Sequence, residues 1–315
     1  MYNGMYVDVA AHIMTPNFAK KYAELVPAIM NSTEMTRPVV SDLEIRMRLM
    51  SRYPKVLQVL TMANVPLERY VEKTSDAVEL ARIGNDDLAE LVLRYPDKFA
   101  GAAAILPMND VDESCKEAQR ALKECGLQGI QVYTRINGVS VADVKYQPVF
   151  EIANDFGLPV WIHPTDNPQL DPDGDLFTWE FELASCMHKL VSAGIYRKFP
   201  KIKIIVHHAG TLAPLFSGRI KYLYKGASMP EMEERWHDFH KFYVDTALYG
   251  NTYGLMDSYA FYGPERLLFG TDAPLGPKWG MIEGTIESID DMDIPDNEKR
   301  MIFKSNALDM FNLVL

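Results

Sequence analysis

Eight short apolar runs, each separated from the next by enough chain for a helix, constrain this 315-residue sequence more than any other feature. They cover residues 6–10, 56–62, 99–106, 129–133, 159–162, 203–207, 242–246 and 267–270. Between them lie helix signals. Ser41-Asp42-Leu43-Glu44 reads as a capping box. Residues 75–94 and 110–124 are amphipathic, the second stopping at Cys125-Gly126. Residues 148–156 end at Gly157, and residues 179–196 form a further helix. Brief apolar runs joined by helical crossovers build a parallel sheet buried on both faces. Eight of them suit an α/β fold closed as a (β/α)8 TIM barrel better than an open sheet. No Gly-x-Gly-x-x-Gly turn follows the first run, which counts against a dinucleotide-binding fold. No Gly-, Ser- or Pro-rich linker divides the chain, so residues 1–315 read as one domain.

Four of the runs end in metal-binding or acid–base side chains. Tyr6-Val7-Asp8-Val9-Ala10-Ala11 leads to His12, and Pro159-Val160-Trp161-Ile162 leads to His163. Ile204-Ile205-Val206 leads to His207-His208, and Leu267-Leu268-Phe269-Gly270-Thr271 leads to Asp272. A barrel places its site at the carboxyl ends of its strands. A lone strand-end histidine is more often structural, but four such endings on separate strands point to a site. Imidazole and carboxylate together suit Zn²⁺ or another divalent transition metal. Strand alternation puts Asp8, Ala10 and His12 on one face, and it lets only one of His207 and His208 enter the site. Alanine at position 10 cannot bind metal.

Composition narrows the partners. A net charge of −11 argues against nucleic acid but not against an anionic small molecule met by a local arginine pair. Three cysteines without a close metal-type pair fit reduced thiols and a cytoplasmic protein. No signal-like N-terminus and no membrane-length apolar stretch is evident. The Asp-rich loop 164–175 reads as a solvated lid over the barrel mouth. His237 and His240, three apart, have an exposed or packing role, His188 is structural, and Trp161 and Trp179 pack in the core.

The chain also resembles the amidohydrolase-related (family 2) group of the amidohydrolase superfamily, whose members are metal-dependent hydrolase-like TIM barrels. The likeness is densest in Val7-Asp8-Val9-Ala10-Ala11-His12-Ile13, Pro159-Val160-Trp161-Ile162-His163-Pro164, the stretch from Phe199 to Gly210, and Gly270-Thr271-Asp272-Ala273-Pro274. Ser217-Gly218-Arg219-Ile220 and Tyr243-Val244-Asp245-Thr246-Ala247 add to it. The resemblance implies a metal set on Ala10, His12, His163 and Asp272, of which His12, His163 and Asp272 can ligate. Three protein ligands and a water make a catalytic zinc count; the alternative is a site without metal, using His12, His208 and Asp272 for acid–base work. It implies His208 as the base, with Asp272 also catalytic. It implies Arg46 and Arg219 as anchors for a substrate carboxylate, Arg219 acting from a neighbouring subunit of at least a homodimer. The function expected is a decarboxylase, a carbon–carbon lyase acting on an unsaturated or aromatic carboxylic acid. A hydrolase of an ester, lactone or amide, and a non-catalytic ligand-binding barrel, are the alternatives.

Overall fold

The structure, a computed structural model, describes residues 2, 4–31, 37–167, 170, 176–222, 228–277 and 281–313. Eight parallel strands follow one another along the chain: β1 (Tyr6–Ile13), β2 (Val56–Met62), β3 (Phe99–Ala102), β4 (Ile130–Tyr133), β5 (Pro159–His163), β6 (Lys203–Val206), β7 (Tyr243–Asp245) and β8 (Leu267–Leu268). One sheet holds β1, β2 and β3; a second runs β8-β7-β6-β5-β4. Parallel bridges between Ala104 and Ile130, and between Ala11 and Ala273, join the two sheets at both seams. The backbone bonds Val9 N to Phe269 O (2.9 Å) and Gln131 N to Ala104 O (2.8 Å) complete the closure. The result is the expected (β/α)8 barrel.

Alternation along the strands sorts their side chains into two sets. Val7, Val9, Val59, Ala103, Trp161, Ile205 and Leu268 form one apolar cluster inside the barrel, closed from below by Ala307, Met310 and Phe311 of the helix Asn306–Phe311. Trp161 stacks on Phe311 with ring centroids 5.4 Å apart, and its indole N–H donates to Val9 O. Intervening residues such as Leu60, Ile162, Val206 and Phe269 belong to the larger cluster between strands and helices. Burying each large apolar side chain of these layers contributes roughly 1.5–3 kcal/mol. Trp161 is therefore core, as expected.

β1 departs from simple alternation. Asp8 pairs with Gln58, but Ala11 pairs with Leu60, so one extra residue is accommodated between them. Such a bulge reverses the facing of everything beyond it. Asp8 bonds Gln58 and Thr271 on the outer side of the wall, whereas His12 turns inward to Thr61. The expectation that Asp8 and His12 share a face is thus overturned.

Local signals agree with most helices. The helices Thr74–Arg94, Val111–Lys123 and Gln147–Phe156 stand where the periodicity places them. Gly157 ends the last in a left-handed conformation (φ 66°) that glycine adopts without penalty. In the helix Leu43–Met50 the cap is Asp42, which accepts from Ile45 N, and not Ser41. The single helix read over 179–196 is two, Leu176–Ser192 and Ile195–Lys198, with left-handed Gly194 between them. The helix Pro16–Leu25 and an antiparallel hairpin, Arg135–Ile136 with Val139–Ser140, had no sequence expectation. Most of the proposed lid, residues 168, 169 and 171–175, lies outside the described residues.

Candidate metal and acid–base centre

Counting two residues on from the apolar floor of the barrel leads to the next inward layer. Trp161 gives His163, Ile205 gives His207, Val59 gives Thr61, and Tyr243 gives Asp245. Three imidazoles meet there. Ring centroids of His12 and His163 are 5.2 Å apart, those of His163 and His207 5.2 Å, and those of His12 and His207 5.7 Å. Asp272 brings Oδ1 to 2.9 Å from His12 Nε2, without hydrogen-bond alignment. The structure therefore brings together His12, His163 and Asp272, and it adds His207, which sequence reasoning left out in favour of His208.

Each of the three rings is tied by its Nδ1. His163 Nδ1 donates to Pro164 O at 2.8 Å, and His207 Nδ1 donates to Asp245 Oδ2 at 2.6 Å. His12 Nδ1 shares a 2.9 Å bond with Thr61 Oγ1. With the Nδ1 proton of His163 and His207 fixed by an acceptor, the Nε2 of each is left as a lone pair. Nε2 of His207 is buried and has no hydrogen-bond partner. A buried acceptor without a donor costs about 1–3 kcal/mol, and imidazoles oriented through Nδ1 by a carboxylate or a carbonyl are how metal-ligating histidines are held. The donor set fits a divalent metal in its chemistry. As they stand, no three His, Cys, Asp or Glu side chains among the described residues are gathered for an ion.

A Cβ built on Gly270 would lie 3.0 Å from the Ala10 methyl and 2.7 Å from Asp245 Cβ. Ala10 is fully buried, and Gly270 lies between its methyl and Asp245. The third imidazole of the cluster comes from His207.

His208 stands beside the trio, its ring centroid 6.1 Å from that of His207. Its Nδ1 is 2.8 Å from Glu180 Oε1, and its backbone N–H donates to Asp245 Oδ1 at 2.9 Å. So both His207 and His208 reach the centre, against the expectation that only one does. The reason is a turn: His208 has φ 58° and Ala209 φ 54°, which ends the strand alternation after His207. Asp272 (φ 63°), Thr211 (φ 52°) and Tyr249 (φ 50°) are also left-handed, each at a cost of the order of 1 kcal/mol. Such strain gathers where a site holds side chains in place.

Charges follow from these contacts. Burial works against a charged His208, but Glu180, Asp272 and Asp245 outweigh it and push its pKa up to about 9. Burial, with His207 and His12 nearby, holds His163 well below the usual imidazole range. Burial opposes the charge of Asp272, yet His12, His208 and the Tyr249 hydroxyl together hold its carboxyl low; Tyr249 Oη donates to Asp272 Oδ2. Asp245 is likewise held low, burial being outweighed by His207, His208 and the Ala247 N–H.

The two expected anchor arginines sit in different places. Arg46 is buried outside the barrel wall, donating to His12 O (2.5 Å) and Gln58 Oε1 (2.8 Å), with the Phe99 ring 5.9 Å from its guanidinium carbon. Its hydrogen bonds tie it to the wall beneath His12. Arg37 donates to Gly276 O, and its charge acts on Tyr249. Arg219 is exposed on the helix Ser217–Tyr222, in a separate hollow of about 290 Å³ with Ala184, His188, Phe216 and Ile220. His240 caps the helix Met229–Phe239 and stacks on Phe261 at 4.3 Å, a packing role as expected. Trp179 is 38% exposed and donates to Asp166, so its core assignment does not stand. Glu182 is buried and bonds both Arg135 and Asn167.

Comparison with known proteins extends the picture. A gamma-resorcylate decarboxylase from Polaromonas sp. (strain JS666 / ATCC BAA-500) is 28% identical over 288 residues, covering 85% of this chain and 86% of that protein. A 2-amino-3-carboxymuconate-6-semialdehyde decarboxylase from Dictyostelium discoideum is 28% identical over 285 residues, covering 86% and 77%. A crystal structure of a dihydroxybenzoic acid decarboxylase from Polaromonas sp. JS666, with bound manganese and the inhibitor 2-nitroresorcinol, superposes with a TM-score of 0.80. It is 23% identical and covers 98% of this chain and 97% of that one. The amidohydrolase family model matches residues 7–313. The chain belongs to the amidohydrolase family.

Proposed function

We propose that this chain is a metal-dependent decarboxylase of aromatic carboxylic acids. The observation that carries the reading is the trio His12, His163 and His207, each held through Nδ1, with an orphaned Nε2 on His207 at the barrel mouth. The decarboxylases named above, matched along most of both chains, favour carbon–carbon cleavage over hydrolysis. His12, His163, His207 and Asp272 would hold the ion. Imidazole-rich donors favour Zn²⁺, and the Polaromonas neighbour holds manganese. A divalent ion in that place supplies Lewis-acid polarisation and neutralises a carboxylate's charge.

The chain's own residues do the rest. Arg37 orients the substrate carboxylate at the mouth by charge-assisted hydrogen bonds. His208, paired with Glu180, holds a proton at Nε2 and delivers it to the ring carbon that loses CO₂. Asp272 stays ionised under the Tyr249 hydroxyl and keeps His208 charged. Arg219, exposed on its own chain, serves a neighbouring subunit of a homodimer. No helix among the described residues is long and apolar enough to cross a membrane; the unpaired cysteines support a cytoplasmic setting.

The test is CO₂ release from a panel of hydroxybenzoates by metal-replete protein, with and without chelator. Chelator-sensitive release that falls on His208→Asn supports the reading. No release from any aromatic acid by the metal-replete protein refutes it.

A further inference from the structure

A second polar hollow lies at the same barrel mouth, beside the loops that follow β2, β4 and β5. It encloses about 390 Å³ and is lined by Glu68, Arg69, Arg135, Thr165 and Asn167 among others. Thr165 is two residues beyond His163, and two extended residues span at most about 7 Å. The hollow therefore begins within about 7 Å, along the chain, of His163. Tyr133 forms part of the ground between: its ring centroid is 5.4 Å from that of His163, and its hydroxyl accepts from Val65 N, next to Pro66 of the hollow.

The cations of this hollow are already matched. Arg135 Nε is 2.7 Å from Glu182 Oε2, and its Nη1 donates to Gly138 O. Arg69 Nη1 lies 3.4 Å from Asp166 Oδ2. Glu182 is held again by Asn167 Nδ2 at 2.6 Å. Glu68 is the exception. It is only 6% exposed, and its Oε1 is buried with no hydrogen-bond partner. A buried carboxyl oxygen left unmatched costs free energy that a fold without a use for it would shed by substitution. Burial pushes its pKa up to about 7, the hydrogen bond from its own backbone only partly opposing this.

We propose that Glu68 is the specificity-determining residue of a substrate subsite that reads a phenolic hydroxyl distant from the scissile carboxylate. This rests on the decarboxylase reading above. A hydroxyl fits where a second carboxylate does not. Neither lining guanidinium, of Arg69 or Arg135, is left unmatched for a negative charge. A phenol O–H in the hollow donates to the Glu68 carboxyl group.

The experiment compares 2-hydroxybenzoate with the 2,3-, 2,4-, 2,5- and 2,6-dihydroxybenzoates on the metal-replete protein, its Glu68→Ala variant and its Glu68→Gln variant. Dissociation constants are read by calorimetry and KM by CO₂ release. A hydrogen bond to a carboxylate gives roughly tenfold discrimination or more. The native protein is expected to prefer at least one dihydroxy isomer by that factor, and Glu68→Ala to reduce the ratio to near one. Glu68→Gln keeps an acceptor of the same shape and retains part of the preference, which separates the lost contact from a folding defect. An undiminished ratio in Glu68→Ala, or no preference among the isomers in the native protein, overturns the proposal. Absence of CO₂ release from every isomer would instead strike the decarboxylase reading, and the calorimetric ratio would still report on the subsite.

Discussion

Replacing Asp245 with asparagine turns the acceptor that orders both sixth-strand histidines into an amide of nearly the same shape. In the native chain Asp245 Oδ2 takes the His207 Nδ1 proton at 2.6 Å, while Oδ1 accepts from His208 N at 2.9 Å and Ala247 N at 3.1 Å. The single amide oxygen of asparagine goes to the two fixed backbone N–H groups. Its NH₂ then faces His207 Nδ1, which can meet it only as an acceptor. The imidazole proton moves to Nε2 and covers the lone pair that faced the site. Losing one charge-assisted bond costs about 1.5–3 kcal/mol. Losing the carboxylate that orients a metal-binding imidazole typically costs 10–100-fold in metal affinity. Chelator competition measures the affinity, and ¹⁵N chemical shifts of His207 report which nitrogen carries the proton. Asp245→Asn protein that binds metal as tightly as native, with His207 still protonated at Nδ1, would refute the assignment of His207 as a ligand held by Asp245.

Further substitutions test other links. Ala10→His should lower stability by about 1–3 kcal/mol without tightening metal binding, because the methyl is fully buried beside Gly270; denaturant midpoints and metal titration check both halves. Arg46→Ala should cost about 3–5 kcal/mol, since it leaves Asp8 and the His12 carbonyl without their buried cation; a selective rise in KM with stability intact would show that Arg46 binds substrate after all. Glu68 has a folded pKa near 7 against 4.5 in its ordinary state, so the native chain holds a proton there that the unfolded chain has lost. Stability is then surrendered as pH rises from 4.5 to 7, by up to about 3 kcal/mol. Glu68→Gln should therefore stabilise the protein above pH 7 and have no effect below pH 4.5, as urea titrations at the two pH values would read.

Much of the barrel is legible in the residues themselves. Strong apolar runs ending at His12, His163 and Asp272 mark both the strands and the face they serve. β6 resisted reading because Ile204-Ile205-Val206 is apolar throughout, so hydrophobicity does not say which residue points inward. The packing does: Ile205 belongs to the barrel floor, and His207 follows it by one pleat. Asp8 was misplaced because a bulge carries no composition signal in a strand that is buried on both faces. Glu180 lies far from His208 in sequence and meets it only through the packing of the helix Leu176–Ser192, which no local pattern encodes. Arg46 and Arg37 differ in the same way. Both precede β2, and only the fold decides that one goes under the wall and the other over the mouth.

The most direct measurement is the metal content of the purified protein beside that of His207→Gln, both determined by mass spectrometry after removal of loosely bound ions. About one divalent ion per native chain, lost from the variant together with chelator-sensitive CO₂ release, is the expected result. A native chain that binds no divalent ion on titration, or a variant that keeps its metal in full, would contradict a centre built on His12, His163, His207 and Asp272.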